Sequence, residues 1–166
     1  RGRSVRFRAL NALVTPESAV LDSTGRVVVQ VVLGIPAGEA AIFATIDSVE
    51  RIMVLRADPG PIDTLILERN GESVNGRSIV VQVGTPFALR LRAHDLHGNE
   101  TSMDPLSAAL RASQQRLSAQ GQSLQLVSLE SSDSSAVFML RAQKPGTYNF
   151  SIGSGIKAHV RVEVIP

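Results

Sequence analysis

Apolar and polar residues alternate one by one along much of this chain, most clearly from Phe87 to His94. Phe87, Leu89, Leu91 and Ala93 fall on one face, and Ala88, Arg90, Arg92 and His94 on the other. A period of two predicts a half-buried β-strand. The run ends in Asp95-Leu96-His97-Gly98-Asn99, a predicted turn. Gly98 can take a positive φ without steric cost, and Asp95 and Asn99 can bond to nearby backbone. Strands are likewise predicted over Ala40 to Ile46, Glu50 to Arg56, Ala136 to Leu140 and Tyr148 to Ile152. The alternation returns from Ala158 to Ile165, where Val160, Val162 and Val164 alternate with His159, Arg161 and Glu163.

Between these runs the chain is punctuated by turn residues. Asp22-Ser23-Thr24-Gly25 precedes Val27 to Leu33, the most β-prone run, and Gly34-Ile35-Pro36-Ala37-Gly38 breaks it. Ile62 to Arg69 and Ile79 to Val83 read as strands flanking the turn signals Asn70-Gly71 and Asn75-Gly76. Asp104-Pro105-Leu106 opens a less regular stretch, and Gln114 to Gln122 reads as a loop or short helical turn; helical patterning is otherwise hard to find. Leu124, Leu126 and Leu129 mark a further strand. Pro145-Gly146-Thr147 and Gly153-Ser154-Gly155 read as turns. Short strands at regular spacing predict an all-β sandwich or barrel. Asp58-Pro59-Gly60-Pro61 is the clearest linker, because two prolines remove backbone donors and end sheet pairing. The expected modules are 1–58 and 59–166.

Composition narrows the class. Of the 166 residues, 43% are apolar and 19% charged, which suits a folded domain and not a disordered tail. With five Phe, one Tyr and no Trp, the core must come from Val, Ile, Leu and Ala. No cysteine is present, so disulfide staples and cysteine zinc sites are excluded. No apolar run approaches the roughly 20 residues of a membrane-spanning helix. The chain opens at Arg1 without Met, and the expectation is a part of something longer. Two Lys against fifteen Arg suggests a GC-rich bacterial source.

Net charge is only +2, and no basic face with interleaved aromatics is visible, which argues against nucleic acid. The exception is the N-terminus, where Arg1, Arg3, Arg6 and Arg8 flank Val5 and Phe7. Those arginines read either as the outer face of a strand or as an arm for a membrane surface or acidic protein.

Asp95-Leu96-His97-Gly98-Asn99 after an alternating strand resembles a turn of bacterial immunoglobulin-like repeats of the invasin/intimin type. Pro145-Gly146-Thr147-Tyr148-Asn149-Phe150 resembles the start of their penultimate strand. Leu21-Asp22-Ser23-Thr24-Gly25-Arg26, with Leu33-Gly34 through Gly38 to Ile42, resembles the second half of such a repeat. The resemblance implies two tandem immunoglobulin-like β-sandwich modules. A complete repeat takes about 100 residues and roughly seven strands, so the first module is expected to be incomplete, matching the later strands alone. Its open edge and apolar face would then be covered by a partner.

Candidate chemistry is sparse. His94 and His97 flank Asp95, which raises a metal reading, but their spacing on a strand-turn sends the rings in unlike directions. Asp95, Asn99 and Asp22 could offer oxygen ligands to calcium, or simply stabilise their own turns. No Gly-x-Ser-x-Gly elbow, carboxylate pair or phosphate-cradling loop is present. The expectation is therefore not an enzyme, with no cofactor and no small-molecule substrate. The leading function is an extracytoplasmic structural or protein-interaction module, an accessory subunit on a large membrane complex of secretion, pilus or photosynthetic type. The alternative is spacer or adhesion repeats of a secreted or surface protein. A carbohydrate-binding module fits least, since sugars stack on exposed aromatics.

Overall fold

The structure is a computed structural model and describes residues 2–119, 124–153 and 155–166. The chain divides into two compact units, Arg1–Pro59 and Gly60–Pro166. Both are built mainly of strands.

The first unit contains β1 (Ser4–Leu10), β2 (Ala12–Thr15), β3 (Ser18–Val20), β4 (Gln30–Leu33), β5 (Gly38–Ile46) and β6 (Val49–Ala57). They form a four-stranded sheet in the order β3-β1-β5-β6 and a two-stranded sheet, β2-β4. All pairings are antiparallel. Its core is thin: Val5, Val14, Ala40, Ile42 and Ala57 are the buried apolar residues. Val27 to Leu33 departs from expectation, because only Gln30–Leu33 is strand. The reason is the partner. Thr15 is the last residue of β2 and pairs with Gln30, and Pro16 follows, so residues 27–29 have nothing to ladder against. Propensity without a neighbour leaves Val28 exposed.

The second unit contains β7 (Thr64–Arg69), β8 (Glu72–Ser73), β9 (Ser78–Gln82) and β10 (Pro86–His94). After a single 3-10 turn (Asp104–Leu106) come α1 (Ser107–Ala119), β11 (Leu124–Ser131), β12 (Ser135–Ala142), β13 (Gly146–Ile152) and β14 (Ala158–Ile165). One sheet has the order β11-β12-β10-β7-β8 and the other β13-β14-β9, with β14 and β9 parallel. The inward residues of β10, Phe87, Leu89, Leu91 and Ala93, are buried as their alternation requires. Val160, Val162 and Val164 do the same on β14. Phe138 of β12 and Phe150 of β13 meet edge to face, with centroids 5.3 Å apart, and pin one sheet to the other.

Helix α1 corrects the expectation that helical patterning is hard to find and that the stretch from Gln114 is a loop or short helical turn. Ala, Leu, Arg and Gln dominate residues 108–117 and favour helix, and the proline of the preceding 3-10 turn suits a helical start. Leu110 and Ser113 lie three apart and are both buried, which fixes the inward face. Part of the Gln114 to Gln122 stretch and Ser154 of the Gly153-Ser154-Gly155 turn lie outside the described residues.

Candidate functional site

Asp95, in the second unit, is a buried polar residue, 4% exposed. β10 ends just before it, and Gly98, at φ 82°, turns the chain back so that the Asp95 amide donates to the Asn99 carbonyl at 2.9 Å. Oδ1 accepts the backbone N–H groups of His97 and Asn99, each at 2.9 Å. Oδ2 accepts the Asn99 side-chain amide and the Gly60 N–H, again at 2.9 Å. Thr101 Oγ1 donates to the Gly60 carbonyl at 2.8 Å, so Gly60 is held at both its amide and its carbonyl. These bonds, the Asn99 side chain first and the Gly60 N–H second, hold the Asp95 carboxyl well below its ordinary value and outweigh burial.

Asp22 builds the same turn in the first unit. The Asp22 amide donates to the Arg26 carbonyl at 2.9 Å, and Gly25, at φ 78°, donates to the Asp22 carbonyl at 3.0 Å. Oδ1 accepts the N–H groups of Thr24 and Arg26 at 2.8 and 2.9 Å, and the Thr24 hydroxyl at 2.7 Å. The Thr24 hydroxyl, then the two amides, lower the Asp22 pKa. In both turns the carboxylate satisfies backbone donors, which is the work of turn residues. Among the described residues no group of three or more His, Cys, Asp or Glu could hold a metal ion.

The other predicted turn residues border strands. Gly34 follows β4 and donates to the Asn11 carbonyl at 2.8 Å; a Cβ there would lie 2.9 Å from that oxygen, so no larger residue fits. Gly38 opens β5 and Gly146 opens β13. Pro145 precedes β13, and the Tyr148 hydroxyl donates back to the Lys144 carbonyl at 3.1 Å. Asn75, of the predicted turn Asn75-Gly76, does more than turn the chain. Its amide accepts from Leu67 N–H at 2.9 Å and donates to the Leu65 carbonyl at 2.6 Å, taking the place of a strand beside β7.

Of the N-terminal arginines, Arg1 lies outside the described residues. Arg6 and Arg8 occupy the exposed positions of β1, opposite buried Val5. Arg3 pairs with Asp47, and the Arg8 guanidinium lies 3.9 Å over the Phe43 ring. His94 and His159 lie on different strands and His97 in the turn, so the three are not gathered. An apolar groove of about 360 Å³ in the second unit is lined by Pro61, Ile62, Pro105, Leu106 and Ile156, with Thr101 and Ser102 at its polar side.

The Tyr148 bond to the backbone four residues upstream, at the start of the penultimate strand, together with the two-sheet order, decides the fold. The second unit is an immunoglobulin-like sandwich. No family model matches the chain, and no curated protein does. Several solved structures are similar to it. Domains 4 and 5 of the S-layer protein SbsC share 15% identity at a TM-score of 0.43, over 98% of this chain and 70% of that one. Invasin, a bacterial integrin-binding protein, shares 13% at 0.41, over 98% of this chain and 32% of invasin. Domains 5–6 of SbsC share 16% at 0.35, over 99% and 81%.

Proposed function

We propose that this protein is a non-catalytic structural and protein-interaction module of a bacterial extracytoplasmic surface, whose first unit is covered by another polypeptide. The supporting observation is β6, where Val49, Ile52, Met53 and Val54 are 56–63% exposed at the edge of a sheet. Consecutive residues point to opposite faces, so Ile52, Met53 and Val54 leave both faces of that strand bare. Single exposed apolar residues are ordinary, but a contiguous row on an edge strand marks a contact surface. The finer reading is an accessory subunit docked on a large membrane complex, with Arg3, Arg6 and Arg8 meeting an acidic protein or membrane surface. The presence of two strand-built units in one chain favours a second reading, spacer or adhesion repeats.

Isolation of the native protein from membranes under mild detergent tests this. The subunit reading expects stoichiometric recovery with a partner and loss of that partner after Arg6→Glu/Arg8→Glu. Recovery of the protein alone, from the soluble fraction or from a long repeat-bearing polypeptide, contradicts the subunit reading and leaves the spacer reading standing.

A further inference from the structure

The last hairpin of each unit ends on a strand, and the two strands differ in their surroundings. β14 is bonded on both sides, by β13 antiparallel and by β9 parallel. β6 is bonded only by β5, and its other side has no ladder partner among the described residues. It is nine residues long and exposed from Val49 through Val54. Such an edge is a template for another strand, and soluble proteins normally shorten, charge or cover it.

The order of residues in β6 selects the occupant. If two β6 strands pair antiparallel about a two-fold axis at Met53, Ile52 of each copy faces Val54 of the other, and Glu50 faces Arg56. Both contacts occur twice, as an isologous interface requires. Opposite charges and aliphatic side chains directly across a ladder each stabilise it. Present partners do not compete strongly. Glu50 lies 4.0 Å from Arg8 and accepts the Thr45 hydroxyl at 3.4 Å, and Arg56 lies 3.5 Å from Asp58 on an exposed surface. A strand like β9, with the sequence Ser-Ile-Val-Val-Gln, carries no charge and would leave Glu50 and Arg56 unanswered.

We infer that β6 is a self-association edge, joining two copies of this chain into one continuous antiparallel sheet through Ile52–Val54 and Glu50–Arg56 pairs. The inference rests on the reading that another polypeptide covers the first unit, and it names that polypeptide. One added strand pair gives a small interface, so the dimer depends on concentration.

Light scattering and sedimentation of the 166-residue protein across concentrations test it. The expected result is a twofold rise in mass. Arg56→Glu places like charges opposite each other twice per interface and weakens association by about tenfold or more. The charge swap Glu50→Arg/Arg56→Glu restores most of it. Both positions are on the surface, so an unchanged circular dichroism spectrum verifies the fold of each variant. A monomer at every concentration, or a dimer indifferent to Arg56→Glu, overturns the inference. Amide exchange separates the two failures. A monomer with β6 amides open on its outer side still needs a covering partner, whereas a monomer with every β6 amide protected defeats the covering reading too.

Discussion

Asp95 Oδ2 accepts the backbone N–H of Gly60 at 2.9 Å, across 35 positions of sequence. The contact ties the start of the second unit to the turn that follows β10, and Thr101 completes it from the carbonyl side at 2.8 Å. Gly60 is thereby fixed where the strand β7 must begin to lie beside β10, since Asp63 N–H donates to the His94 carbonyl at 2.8 Å.

Removing either half of this clasp destabilises the second unit. Thr101→Val is nearly isosteric and deletes one hydrogen bond from a residue 8% exposed, for a cost of about 1 kcal/mol. Asp95→Ala strands four donors at once and lowers the urea midpoint further than Thr101→Val does. Equilibrium unfolding in urea measures both, and equal midpoints for the two variants would contradict the clasp.

Acid should loosen the same turn. The Asp95 and Asp22 carboxyls are both held below their ordinary value of 3.8. A depressed native pKa means the unfolded chain binds the proton more readily. The stabilisation is therefore complete above about pH 5 and drains away as pH falls through 3.8 and below. Urea midpoints measured from neutral pH downward should fall in that window, and Asp95→Asn should flatten the fall.

Gly25 and Gly98 occupy the same position of the same turn, at φ 78° and 82°, and a Cβ added to either would have no atom within 4 Å. Alanine meets no clash at either site, only the left-handed backbone. Each substitution should cost about 1–2 kcal/mol, and the two costs should agree. Differential unfolding of Gly25→Ala and Gly98→Ala measures them.

Core and edge should respond differently to truncation. Leu91 of β10 is fully buried, and Leu91→Ala should cost about 2–5 kcal/mol. Ile52→Thr on β6 should stay within about 0.5 kcal/mol in the isolated chain. Thermal unfolding distinguishes them, and a large loss from Ile52→Thr would mean that β6 is covered within this chain.

Much of this architecture is legible in residue order. The alternation of Phe87 to Ala93 and of Val160 to Val164 declares which face is buried, because a strand has only two faces. The turns at Asp22 and Asp95 are legible because their bonds are local. What escapes is whatever depends on a distant neighbour. Val27–Val29 have strand propensity but no ladder partner, Asn75 replaces a strand beside Leu65 and Leu67, and the Asp95 bond to Gly60 joins residues far apart in sequence. Helix α1 is hidden for a different reason. Its apolar spacing is carried by few residues, with a serine, Ser113, on the buried face.

Amide hydrogen exchange on the dilute protein, comparing β6 with β14, bears most directly on the claim that the first unit ends in a bare strand. In a strand bonded on one side only, every second amide faces outward, so β6 should show alternate fast and slow exchange from Val49 to Ala57. β14, paired on both sides, should be protected at consecutive residues. Consecutive protection along β6 in the monomer would contradict the account.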